Sequence, residues 1–221
     1  MTKRRSVKKS AKILVDAALY GVMLILMSYP ITRGLLRHGV CGVAFMALLL
    51  VHQALNAGWY RSLFRGRWNA RRTLLSATDA LLLFSGVALA VSSLAMAGEV
   101  FSFVPFPMTW WARDLHTTAT AWTFVLASFH LGLHGHGVWR NARLWTGRIW
   151  PFVALALFAL GTALFAHSGL WNVMLMTGIP QTRLAGLPLF LAYYPAMTLW
   201  LCLLARGAWS FTGKPCFRNG C

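Results

Sequence analysis

The chain contains seven histidines, and four of them form two pairs of equal spacing. His38 and His52 are 14 residues apart, and so are His116 and His130. In an α-helix, 14 residues rise ~21 Å and end about 40° short of four full turns. Each pair is therefore predicted to lie on one face of a helix, with one histidine near each end. Neutral imidazole nitrogens can ligate haem iron axially, so this pattern favours haem binding.

The two pairs lie in or just before the second and fourth long apolar segments, which would run in the same direction as alternate membrane crossings. His38 is then level with His116 near the external surface, and His52 is level with His130 nearer the cytoplasm. We expect the first two to ligate the iron of an external haem b. The other two would ligate a cytoplasmic-side haem b ~21 Å away. Hydrogen bonding between helices is the plainer interpretation of any single histidine.

Residues near the histidines of the external site, His38 and His116, suit a haem pocket in size and charge. Gly42 lies one turn after His38 and would let the haem plane approach the backbone, and Gly132 offers the same near the lower pair. Arg37 and Arg113, each close in sequence to an upper histidine, could bind haem propionates through bidentate hydrogen bonds. Their alternative role is that of interfacial anchors.

His134 follows His130 by one turn and could replace it as the lower ligand. Its greater distance from His116 favours a contact with a quinone or a haem propionate instead. His130, His134 and His136 also raise the alternative of a zinc site. No cysteine or carboxylate near them in the sequence completes a tetrahedral ligand set, so zinc is disfavoured.

Two aspartates fall inside apolar segments, where a carboxylate is costly unless it is paired or neutral. Asp79 could exchange protons beside a quinone site, or it could pair at the interface with Arg61, Arg72 or Lys12. For Asp16 we expect the plainer pairing with a neighbouring basic residue such as Lys12.

Long apolar segments must hold these residues in place. The chain is 58% apolar and 11% charged, whereas soluble domains have about a quarter charged residues. Segments near 20 residues match the ~30 Å hydrocarbon core. They predict an all-α integral membrane bundle of about six transmembrane helices, with a four-helix haem-binding core. The transmembrane haem-binding domain covers 13–206, between a basic cytoplasmic N-terminus (1–12) and a cytoplasmic tail (207–221). The predicted spans are 13–29, 40–59, 74–97, 119–133, 151–165 and 187–204.

The formal net charge of +17 is unevenly distributed along the chain. If the spans alternate, only Arg33, Arg37, Arg113 and Arg183 fall on the side opposite the other basic residues. The positive-inside rule then places both termini in the cytoplasm. This charge suits anionic membrane lipid, and it gives no reason to invoke nucleic acid. The N-terminus resembles a signal peptide but has no clear cleavage site after residue 29, so we expect a retained first helix.

Two segments resemble the flavinylation-associated cytochromes, a bacterial family of membrane di-haem proteins. They read RHGVCGVAFMALLLVHQALNAGWYRSLFRGRW and ARDLHTTATAWTFVLASFHLGLHGH. The resemblance implies a location in the bacterial cytoplasmic membrane and electron transfer between the quinone pool and a flavin-bearing extracytoplasmic protein. The chain would then be the electron-transfer subunit of a quinone-linked oxidoreductase system. The matching positions are His38, Gly42, His52, Asn56, Trp59, Arg113, His116, Trp122, Phe124, His130, Gly132 and His134.

Missing sequence motifs narrow the possible functions. The sequence has no G-x-G-x-x-G nucleotide motif after a strand and no C-x-x-C-H motif for covalent haem. A redox role would therefore require exchange of electrons with another component. The alternatives from other classes are a non-redox membrane protein with a histidine metal site, such as a transporter or sensor subunit, and a haem-sensing membrane protein.

Overall fold

The computed structural model describes residues 2–32, 34–96, 110–135, 148–177 and 187–212. Within these residues the chain is all-α and contains no strand, which confirms the all-α part of the prediction. Arg33, His136 and Arg183 lie outside the described residues. The described helices are α1 (Thr2–Met27), α2 (Tyr29–Thr32), α3 (Leu35–Leu55), α4 (Gly58–Leu63), α5 (Ala70–Met96), α6 (Trp110–His134), α7 (Trp150–Ser168), α8 (Leu170–Met174) and α9 (Leu187–Phe211).

Four described helices are long and apolar enough to cross a membrane. Their surfaces carry large apolar side chains that are open to the surroundings: Leu14 is 71% exposed, Leu50 72% and Phe84 75%. A soluble protein rarely exposes apolar surface on this scale, whereas lipid tails cover it without cost. The chain is therefore a membrane protein. The four candidate spans are Lys9–Met27, Leu35–Leu55, Ala70–Met96 and Trp150–Ser168.

Helix α7 has clear start and stop signals in the sequence. Pro151 lies in its first turn, where the missing N–H breaks no helical hydrogen bond. Gly169 follows its last residue with φ 66°, a left-handed conformation that a glycine adopts without strain. This turn leads directly into the short helix α8, whose N-cap is the same glycine.

The chain divides into two compact units, and α5 and α6 contribute residues to both. The first unit contains the described residues of 1–67, 88–116 and 185–187. In it, α1 packs along α3. Lys12 donates a hydrogen bond of 3.0 Å from its Nζ to Oδ1 of Asn56, which joins the N-terminal half of α1 to the residue after α3.

The second unit contains the described residues of 68–87, 117–184 and 188–221. Its core includes Phe124 of α6, which is fully buried and lies edge-on to Tyr194 of α9 at 5.2 Å between ring centroids. Trp200 of α9 lies against Gly161 of α7. Small residues on one helix thus allow close approach of the next, as is usual for helices packed in lipid.

Buried hydroxyl groups in the helices donate hydrogen bonds, as an apolar environment requires. Ser92 donates to the carbonyl of Ala88 within α5 at 2.8 Å. Thr123 of α6 donates to Oγ of Ser85 on α5 at 3.1 Å, within the second unit. This second bond links two helices.

Candidate functional site

His38 of α3 and His116 of α6 face each other within the first unit. Their ring centroids are 6.2 Å apart, and the ring planes differ by 67°. Ser93 of α5 has its Oγ 3.3 Å from Nδ1 of His116. Both imidazoles are partly buried. Three helices therefore bring together two histidines that are far apart in sequence.

The distance between these rings suits a shared metal ion. A bond from a metal to an imidazole nitrogen is about 2 Å long, and the nitrogen is about 1 Å from the ring centre, so rings on opposite sides of one metal have centroids roughly 6 Å apart. Gly42 adds a second observation, because a Cβ built there would meet no atom of the described residues within 4 Å. The backbone one turn after His38 is thus open. His38 and His116 would together hold the iron of one haem, with space beside them at Gly42.

His52 of α3 lies in a polar network with α1. Its Nδ1 is 2.6 Å from Oδ1 of Asp16. Asn56 donates from Nδ2 to the carbonyl of His52 at 2.9 Å and itself accepts the hydrogen bond from Lys12. The expected partner of Asp16 was a neighbouring basic residue. The structure instead pairs Asp16 with a predicted haem ligand.

His130 of α6 makes a similar contact within the second unit. Its Nδ1 is 2.8 Å from Oδ1 of Asp79 on α5, and Nε2 of His134 is 3.7 Å from the same oxygen. The two imidazole rings have centroids 4.3 Å apart. Potential ligand atoms of Asp79, His130 and His134 all lie within 4.8 Å of one another.

The position of Asp79 corrects two sequence interpretations. We expected no carboxylate near His130 and His134, but packing of α5 brings one there from 51 residues away. We also considered pairing of Asp79 with a basic residue. Its carboxylate instead lies against the two histidines, while the guanidinium of Arg72 lies over the Trp68 ring, 4.6 Å from its centroid.

Each aspartate lies against Nδ1 of its histidine. An ionised carboxylate has only acceptor sites, so with Asp16 and Asp79 ionised the Nδ1–H groups of His52 and His130 donate to them. Nε2 of each neutral ring then has the lone pair that a metal needs. Metal-ligating histidines usually have such an outer partner, which also orients the ring.

Arg37, Arg113, Gly132 and His167 do not take part in the histidine contacts described above. Arg37 and Arg113 are exposed on their helices. Gly132 contacts α9, where a Cβ would lie 2.7 Å from the Cα of Cys202, so its missing side chain serves helix packing. His167 of α7 lies 3.0 Å through Nδ1 from the hydroxyl of Tyr193 on α9.

Besides Asp79, sequence reasoning missed two further partners of the histidines, Asp16 and Ser93. Asp16 is 36 residues from His52, and Ser93 is 23 residues from His116. Only the packing of different helices brings them together. An ionisable residue inside an apolar helix was the one signal available for Asp16. A serine in such a helix gives no comparable signal.

Comparison of the chain with protein-family models, with curated proteins and with solved structures gave no match.

Proposed function

We propose that the chain is a b-type di-haem cytochrome of the bacterial cytoplasmic membrane, with six transmembrane helices and both termini in the cytoplasm. It would relay electrons between the quinone pool and a flavin-bearing extracytoplasmic protein, as the resemblance to flavinylation-associated cytochromes implies. The observation that carries the proposal is the approach of His38 and His116, whose ring centroids are 6.2 Å apart.

His38 and His116 would hold one haem in this proposal. His52 and His130 are assigned to the second haem on their matched sequence spacing. Bound haem supplies reversible one-electron chemistry at its iron. Arg37 and Arg113 would bind propionates, and their exposure suits a role at the membrane surface.

The protein groups around the histidines would hold the ligands in place. Ser93 contacts Nδ1 of His116, while Asp16 and Asp79 accept from Nδ1 of the other two. Each contact restrains rotation of an imidazole ring and leaves Nε2 for iron. His134 and Asp79 would also serve as the polar contacts of a nearby quinone.

The direct test is a reduced-minus-oxidised spectrum of the purified protein, with haem and protein quantified on the same sample. We expect two b haems per chain, falling to about one in His38→Ala and in His116→Ala. The double variant should also retain about one, because both histidines serve the same site. His167→Ala is the matched control and should retain both, since His167 contacts Tyr193 instead. A colourless wild-type protein would refute the proposal.

A second measurement separates electron transfer from haem sensing. The oxidised protein is mixed anaerobically with a quinol, and the reduced haem band is followed over time. Quinol oxidation releases two electrons and two protons, so one quinol should reduce both haems of one chain. A protein with both haems but no reduction by quinol would support the haem-sensing alternative.

A second candidate function is favoured by the grouping of Asp79, His130 and His134. One carboxylate and two imidazoles are a ligand set that Zn²⁺ accepts, with a fourth position for water or a substrate. This is the candidate of a non-redox transporter or sensor subunit. It predicts a colourless protein with about one zinc per chain, and loss of zinc in Asp79→Asn.

A further inference from the structure

A cavity of about 330 Å³ lies between helices α7 and α9, and all of the residues that line it belong to the second unit. Ligand pockets in proteins commonly have volumes of about 300–1,000 Å³, so this cavity can hold a small molecule or part of a larger one. One face of each helix forms its walls: Trp150, Ala154 and Phe158 from α7, and Leu203, Arg206, Gly207 and Ser210 from α9. These residues are separate from the histidine clusters described above.

The two ends of the cavity differ in polarity. Phe158 lies eight residues after the start of α7, or ~12 Å along the helix, and its ring centroid is 6.2 Å from that of Trp200 on α9. Leu203 follows Trp200 by one turn, so this end of the cavity is apolar. Arg206 and Ser210 lie in the last turns of α9 and form the polar end.

The side chains that line the cavity carry a net positive charge. Arg206 is the charged residue among the seven. The sequence contains no aspartate or glutamate after Asp114, so neither α7 nor α9 contributes a carboxylate. A guanidinium group can bind a phosphate through two parallel hydrogen bonds, and it is more weakly hydrated than an ammonium group. The polar end of the cavity is therefore suited to a phosphate.

The apolar end of the cavity lies beside a surface that faces lipid in a membrane protein. On α7, which is a candidate membrane span, Leu155 is 67% exposed, Phe158 40% and Leu160 50%. An acyl chain can follow this surface away from the cavity and stay in an apolar environment. An inorganic anion bound at Arg206 would leave the part of the cavity near Phe158 and Leu203 unfilled.

We propose that the cavity between α7 and α9 binds an anionic phospholipid, with its phosphate at Arg206 and an acyl chain along Leu203 and Phe158. Basic pockets between membrane helices bind such headgroups, most often on the cytoplasmic side. In the proposed orientation, the beginning of α7 and the end of α9 lie on that side. The residues of this site ligate no haem in the proposed function, so the two proposals are independent.

The test is native mass spectrometry of the full chain, which identifies a bound lipid by its mass. The protein is stripped of lipid in detergent and returned to micelles that contain equal amounts of phosphatidylglycerol and phosphatidylcholine with the same acyl chains. We expect the chain to retain phosphatidylglycerol in preference, because phosphatidylcholine carries no net charge. Inorganic phosphate at millimolar concentration should not displace the lipid, since it cannot fill the apolar end.

Two variants of lining residues test the site. Arg206→Gln removes the charge and should weaken the binding of phosphatidylglycerol roughly fivefold or more. Gly207→Leu should also reduce it, because leucine would fill the cavity, while a Cβ at Gly207 meets no atom of the described residues within 4 Å. Arg148→Gln is the matched control for charge, since Arg148 is exposed two residues before Trp150 and does not line the cavity. Gly21→Leu on α1 is the control for the added side chain.

Preferential retention of phosphatidylglycerol that is lost in Arg206→Gln and Gly207→Leu, and kept in both controls, would support the inference. Equal retention of the two lipids by the wild-type protein would overturn it. An equal loss in Arg148→Gln would also overturn it, because binding would then follow the general surface charge. Displacement by inorganic phosphate would show an anion site that does not recognise lipid. Should Arg206→Gln fail to fold, Gly207→Leu and the wild-type lipid preference still decide.

Discussion

Gly132 of α6 lies directly against Cys202 of α9. A Cβ built on Gly132 would be 2.7 Å from the Cα of Cys202 and 2.9 Å from its carbonyl oxygen. One turn earlier, the thiol of Cys202 donates to the carbonyl of Ser128 at 3.3 Å. Two backbones thus meet at this point, and neither can move aside without shifting a whole helix.

Substitution of Gly132 should therefore destabilise the protein. We expect Gly132→Ala to lower the free energy of unfolding by about 1–3 kcal/mol, the usual cost of overpacking, and Gly132→Val to lower it further. Thermal unfolding in detergent provides the measurement. Gly207→Ala on α9 is the control, because a Cβ there meets no atom within 4 Å. Equal stability of Gly132→Ala and the control would contradict the close contact.

The hydrogen bond from Thr123 to Ser85 links α6 to α5 at a buried position. Thr123→Val keeps the shape of the side chain but removes the donor, so we expect a loss of about 0.6 kcal/mol, typical for such bonds between membrane helices. Thr162→Val is the matched control, since that exposed hydroxyl bonds only to Phe158 of its own helix. Reversible unfolding in mixed micelles would measure both, and a larger loss in the control would refute the link.

Gly42 tests the space beside His38. A Cβ added at Gly42 meets no atom of the described residues within 4 Å, and the same is true of Gly21 on α1. We expect Gly42→Leu to fold normally but to reduce haem content from two to about one per chain, because leucine would occupy the space of the haem plane. Gly21→Leu should keep both haems. The ratio of haem to protein is the measurement. Two haems per chain in Gly42→Leu would show that the haem plane does not lie beside Gly42.

Membrane topology can be checked by labelling single introduced cysteines with an impermeant maleimide. Arg67 and Trp110 are both exposed and flank the candidate span α5. The positive-inside rule predicts that Trp110→Cys is labelled in intact cells and Arg67→Cys only after permeabilisation. The parent chain has four cysteines of its own, Cys41, Cys202, Cys216 and Cys221, and it gives the background signal before and after permeabilisation. The reverse pattern would invert the proposed orientation.

The overall fold was largely predictable because lipid imposes a simple rule on the sequence. Apolar segments of span length predict helices, and four of the predicted spans correspond to helices suited to crossing a membrane. Helix ends were less predictable. The fourth span was placed at 119–133, but α6 begins at Trp110, since polar residues such as Arg113 and Asp114 extend a helix past its apolar part.

The histidine contacts were predictable only in part, and the reason is geometric. Helical periodicity put His38 and His116 at the same end of parallel segments, and their rings do lie together. The periodicity of the sequence shows which residues share a face of a helix. It does not show which neighbouring helix that face contacts, because this depends on packing. The aspartate partners and the use of Gly132 for helix contact depend on that rotation, so they required the structure.

The bond between Asp16 and His52 gives helix α1 more than an anchoring role. This stretch looks like an export leader, the kind of segment that is routinely exchanged for a stronger one to raise expression. Such an exchange would leave insertion intact yet remove the acidic partner of a histidine 36 residues further along. A chimaera of that kind would reach the membrane without the carboxylate that contacts His52.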